Sequence, residues 1–337
     1  MRRILALVLS VAMVLILPVF AFADGFYNSQ GVWVSTGDEV SSTEVTDSNG
    51  TTTKTTTTAD GTTETVVTTA DGEQTVDVEL SAAAAAKEEA YVTPEVTATE
   101  DVATAPKVTV ELPTGADSAL VEIAVANNST KVTVMKQNAD GTWSVVKKAA
   151  AGEDGVVVNV EDGATYAVVE KALDFTDITS SWEKKAADFV SSRELMLGTG
   201  VDTFNPKGDI TADMMMTVLA RLDNEADITA ETTGPNWAAA GEAWAAKEGY
   251  AVSGTFTRAD MAKLLYKYAG SPAAKTEVLD KFVDVEGLDA DTIAALAWCN
   301  ENKILEGTSA DKMSPNGTAT RGMLAKVMMT FVGTIVK

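Results

Sequence analysis

Two short stretches of the chain set an arginine directly after a threonine at the start of a predicted helix: Thr257-Arg258-Ala259-Asp260 and Thr320-Arg321-Gly322-Met323. Each threonine is a natural N-cap, and Asp260, three residues on, can return a bond to complete a shortened capping box. Helix structure alone therefore accounts for Thr257, Thr320 and Asp260. It does not account for the arginines, because a cation in the first turn adds to the positive end of the helix dipole. A guanidinium beside free helix N–H groups makes an anion site. The alternative is a structural ion pair, and the sequence leaves both readings open. A third stretch, Thr211-Ala212-Asp213, has the cap and lacks the arginine.

Other chemistries are poorly provided for. The chain has no histidine, which removes Ser-His-Asp and Cys-His triads and the commonest zinc ligand. Its one cysteine, Cys299, allows no internal disulfide and reads as a buried, inert thiol on a helix. Acidic residues are scattered over polar faces, and the Asp-Gly pairs are explained by turns, so no catalytic carboxylate pair is signalled. No cofactor and no metal ligand is expected. With 26 basic and 49 acidic residues the formal charge is −23, which disfavours nucleic acid and anionic lipid as partners. An anionic ligand must then be held by local positive charge.

The elements that position the arginines belong to a repeat. Residues 198–214 read GTGVDTFNPKGDITADM and residues 307–323 read GTSADKMSPNGTATRGM, with seven identities in 17 aligned positions. A repeat of this kind means stacked units that bury a core together. Helical periodicity begins after Phe175: Trp182, Ala186, Phe189 and Val190 share one predicted face, as do Met214, Met215, Val218, Leu219 and Leu222. Trp182 precedes Leu195 by 13 residues and Trp237 precedes Tyr250 by 13, which adds a middle unit whose loop is nine residues shorter. Asp291 stands where the third unit's Trp would be. The repeats are expected at about 173–229, 230–278 and 279–337, each helix, loop, helix.

The succession Phe175-Thr-Asp177-Ile, Trp182, Gly198, Phe204-x-Pro206 and Ile210-Thr211 resembles the S-layer homology (SLH) motif. So do Thr257-Arg258-Ala-Asp260 and Phe282-Val-Asp284-Val with Gly307, Pro315 and Thr320-Arg321. The resemblance covers residues 175–337. It implies an all-α pseudo-threefold assembly whose inter-unit grooves hold an anionic, often pyruvylated, secondary cell wall polysaccharide without catalysis. Carried over by motif, Arg258 and Arg321 pair with the ligand's carboxylate and Thr257 and Thr320 sit at the same helix starts. Trp182 and Trp237 offer either sugar-stacking faces or core packing, and Asp177 and Asp284 brace the turns leading into their units. Ala212 in place of an arginine and the shortened middle loop leave at most two competent grooves.

The rest of the chain divides by composition. Residues 1–23 have a basic start, an apolar run and an Ala-x-Ala end, the order of a secretory signal peptide, with no later stretch long enough to span a membrane. Residues 24–106 are Thr- and Asp-rich and are expected to form a stalk of short hairpins with type I′ turns at Asp60-Gly61 and Asp71-Gly72, or a disordered linker. Ala82–Ala86 reads as a short helix and 94–106 as an extended linker. Residues 107–172 carry six β-branched segments and are expected to form a small antiparallel β-sandwich. The whole reads as a secreted, non-enzymatic cell-surface protein bound to a peptidoglycan-associated polymer, an S-layer or minor surface component. An adhesin or spacer with its own ligand in 24–170, and an envelope glycan-active enzyme, are the competing functions. Self-association is left open.

Overall fold

The computed structural model describes residues 25–27, 33–35 and 39–336, apart from 172, 225–233 and 252–254. The expected signal peptide lies outside the described residues. Among those described, no helix is long and apolar enough to cross a membrane.

The N-terminal region is two packed sheets. After the short pair β1 (Gly25–Tyr27) and β2 (Trp33–Ser35) come β3 (Glu39–Thr46), β4 (Thr52–Thr58), β5 (Thr63–Thr68), β6 (Gln74–Glu79), a helical turn α1 (Ala82–Ala85) and β7 (Ala90–Val96). They are followed by β8 (Lys107–Glu111), β9 (Ser118–Val125), β10 (Val132–Gln137), β11 (Trp143–Val145), β12 (Ala149–Ala151), β13 (Gly155–Glu161) and β14 (Ala164–Glu170). One sheet runs β11-β10-β14-β8-β6-β5-β4-β3 and the other β12-β13-β9-β7. Alternating valines fill the space between them: Val76 and Val78, Val108 and Val110, Val121 and Ile123, Val156, Val158 and Val160.

Two expectations change here. Both Asp-Gly hairpins form, but Asp60 and Asp71 keep negative φ and only Gly61 and Gly72 are left-handed. Each turn is the three-residue kind, a type I turn ended by a left-handed glycine, because the aspartates hydrogen-bond locally instead: Thr58 donates to Asp60 at 2.7 Å and Thr69 to Asp71 at 2.5 Å. The sheet also runs straight through the boundary expected at residue 106. Strand β6 pairs in parallel with β8, and β7, inside the 24–106 region expected as a stalk or disordered linker, pairs in parallel with β9. The hairpins lean on the apolar strands that follow, which supplies the core that Thr-rich sequence lacks.

The C-terminal region is helical: α2 (Ser181–Ser192), α3 (Ala212–Leu222), α4 (Ala239–Lys247), α5 (Arg258–Tyr268), a 3-10 turn (Thr276–Leu279), α6 (Ala290–Glu301) and α7 (Arg321–Ile335). The second helix of each repeat packs on the first helix of the next, α3 on α4, α5 on α6, and α7 back on α2. Phe189, Leu195, Phe204, Met215, Leu219, Met261, Leu265 and Phe331 are fully buried in one shared core. Cys299 is buried in it, and burial pushes its thiol up to about 12.

The two regions are joined through Arg193, at the C-terminal end of α2. Its side chain is wholly buried, donates to the carbonyls of Ala149, Val132 (3.1 Å) and Thr130 (3.4 Å), and stacks on Phe189. Desolvation lowers its pKa to about 9. Ion pairs Lys148–Asp223 and Lys171–Glu194 flank it.

Candidate functional site

The loop between the two helices of the first repeat is shaped by its own sequence. Asp177 accepts from the backbone N–H groups of Phe204 (2.8 Å) and Asn205 (2.7 Å). In the third repeat Asp284 takes Met313 (2.9 Å) and Ser314 (2.8 Å) in the same way. Both aspartates thus fasten the loop to the segment that leads into the first helix of its repeat. Burial works to raise the two carboxyls, and the paired backbone donors outweigh it, leaving both below the usual aspartate value. Gly198 and Gly307 are needed because a Cβ there would lie 2.7 Å from the Thr203 carbonyl and 2.8 Å from that of Lys312.

The arginines at the helix starts serve these loops. At α7, the N–H groups of Arg321 and Gly322 donate to the carbonyls of Gly208 (2.8 Å) and Pro206 (2.9 Å). The Arg321 guanidinium reaches on to Phe204 O (2.8 Å) and Leu197 O (2.7 Å). At α5, the N–H groups of Arg258 and Ala259 donate to Gly317 and Pro315, both at 2.9 Å, and the guanidinium to Met313 O (3.2 Å) and Glu306 O (2.5 Å). So the helix N–H groups reckoned free for an anion are occupied by the Pro-x-Gly carbonyls of a neighbouring repeat. Thr257 and Thr320 cap their helices as expected, with the full capping box at Asp260. The equivalent α3 start, at Ala212, has no such clasp among the described residues, and the loop it would grip is the one shortened by nine residues.

The best candidate site is a cavity of about 340 Å³ between the first repeat and Trp237. Its walls are Met196–Thr199 from the loop, one face of α3 with Thr217 and Arg221, the half-buried Trp237 ahead of α4, and Arg321. Arg221 is buried and donates from Nη1 to Leu195 O at 3.2 Å. Its Nε, and the hydroxyl of Thr217 one turn earlier, have no partner among the described residues. Desolvation lowers the pKa of Arg221, the nearby Arg321 lowers it further, and Glu194 acts the other way. Two guanidiniums therefore face one cavity, and no carboxylate stands among its described walls.

The predicted site residues thus fall in three places. Arg321 and Trp237 reach the cavity; Arg258, Thr257 and Thr320 belong to helix starts; Trp182 stands 43% exposed on α2, off the core face that its register with Phe189 suggested. Ala186 and Phe189 fill the core, and Trp182, in the first turn of α2, is left at the surface. Sequence reasoning missed Arg221 and Thr217. The signal was present: Arg221 falls three residues after Val218 and seven after Met214, a charge on an apolar stripe.

The S-layer homology domain family matches residues 174–211, from the residue before Phe175 to the Thr211 cap. A comparison with curated proteins finds no match. The family match supports an S-layer homology domain protein; such domains are non-catalytic modules that bind cell wall polymers and anchor surface proteins.

Proposed function

We propose that this is a secreted, non-enzymatic surface protein held on an anionic secondary polymer of the cell wall. The helical region, taken as three S-layer homology units in a pseudo-threefold ring, is the anchor, and the β-sandwich projects from it as an S-layer or minor surface component. The observation that carries the reading is the cavity with Arg221 and Arg321 on its walls. In a chain of net charge −23 it is a local positive site with no carboxylate among its described walls, next to an indole face suited to a sugar ring. Arg258 would then serve the anchor indirectly, by fastening the third loop.

Co-sedimentation of the full secreted chain with purified cell wall tests this, before and after the wall's secondary polymer is chemically stripped. Binding is expected to disappear with the polymer. Equal pelleting with both preparations would sink the proposal.

A further inference from the structure

We infer that Arg221, with Thr217, is the group that reads the ligand's negative charge, and that one such site exists per chain. The inference rests on the anchoring reading above and assigns the recognition within it.

Arg321 has an Nε and an Nη2 already committed to carbonyls, and Arg258 likewise. Their charge is felt at a distance, but those donors are not available to a ligand. Arg221 differs. It is buried, forms part of the cavity wall, spends only Nη1 on a described carbonyl, and keeps an Nε–H with no acceptor. An unpaired buried donor of this kind costs stability, which a ligand oxyanion would recover on binding. Thr217 adds a second orphan on the same helix face, so an oxyanion in the cavity can be met by a charged N–H and a hydroxyl.

The other repeats show why the site is single. In register with Arg221 stand Lys267 and Thr330, and in register with Thr217 stand Lys263 and Lys326. Lys267 donates to Gly249 O at 2.7 Å and lies over the Tyr250 ring. Lys263 pairs with Asp260 at 3.0 Å, and Lys326 with Glu306 at 3.1 Å. Glu306 occupies the place that Leu197 takes in the first repeat. Each of these three lysines already has a partner, so in the other repeats the positions of Arg221 and Thr217 offer no unspent positive group among the described residues. The oxyanion recognised is a carboxylate or a phosphate carried on a sugar.

The test uses the full secreted chain and the polymer released from purified wall. Titration calorimetry is expected to give one site per chain. Arg221→Lys, which keeps the charge and loses the Nε–H, should weaken binding by about tenfold or more, and the near-isosteric Thr217→Val by roughly threefold. Both variants are checked for unchanged melting. Polymer with its carboxyl groups reduced, set beside polymer with its phosphates removed, tells which oxyanion is read. The arginine Nε–H resonances of the unmutated protein, followed during the same titration, keep the inference open to refutation if Arg221→Lys folds poorly; the Arg221 signal should move. A folded Arg221→Lys protein with undiminished affinity, an Arg221 Nε–H that stays put at saturation, or two or more sites per chain would overturn the inference while leaving wall anchoring intact. Failure of the unmutated chain to bind the polymer would remove the anchoring reading itself.

Discussion

At the scale of single residues, arginine does three different jobs in this chain. Arg193 joins two regions, Arg258 and Arg321 clasp loops, and Arg221 keeps a buried Nε–H without an acceptor among the described residues. The clasp role has a measurable signature. Arg258→Ala leaves the carbonyls of Met313 and Glu306 without their donor and should cost about 3 kcal/mol in denaturant unfolding, while the folded variant binds wall normally. A variant of normal stability with lost binding would instead make Arg258 a ligand contact. A second residue sets a pH dependence. Glu122 on β9 is buried and accepts from Asp154 N (2.9 Å) and Gly155 N (3.0 Å), and desolvation raises its carboxyl from 4.5 to about 7. Between those values the unfolded chain has released a proton that the folded one keeps, so stability falls as pH rises from about 4.5 to about 7. Glu122→Gln should abolish that fall and gain on the order of 3 kcal/mol at pH 8. Parallel pH profiles for the two proteins would show that Glu122 is not responsible.

At the scale of elements, the two departures in the middle of the helical region explain each other. The arginine of one repeat grips the loop of the next, so Ala212 stands where the first repeat would grip the second, whose loop has lost nine residues. A guanidinium without its loop would be a buried donor set with nothing to bond. Ala212→Arg alone is therefore expected to lower the melting temperature by a few degrees. Ala212→Arg together with the third repeat's loop grafted into the second should recover it; a stabilising single variant would mean that other groups satisfy the arginine. The repeat, the caps, the hairpins and the bracing aspartates were legible in sequence because each is a local pattern. The parallel pairings β6 with β8 and β7 with β9 were not, because nothing local marks a partner some thirty residues away. The site was half legible. Arg321 and Trp237 were flagged by motif, whereas Arg221 is recognisable only once the fold shows which of its donors find acceptors.

At the scale of the whole molecule, the two packed sheets and the helical region share a buried joint. Strand β12 lies on α7, and Ser192 and Arg193 of α2 reach the carbonyls of Thr130 and Val132. A fragment cut near residue 171 would strip the acceptors from a fully buried guanidinium, so the helical region is not a detachable cassette. A body fastened at one end and exposed to flow at the other is a lever, with its bending moment greatest at the hinge. Here the hinge is one side chain grasping three carbonyls on two strands, Thr130 and Val132 at the head of β10 and Ala149 on β12, so a sideways pull loads them together and cannot peel them one by one. None of the three carbonyls is ionisable, so this grip, unlike the flanking Lys148–Asp223 and Lys171–Glu194 ion pairs, is not loosened by acid or brine, and drag on the strands arrives at the helical region as torque.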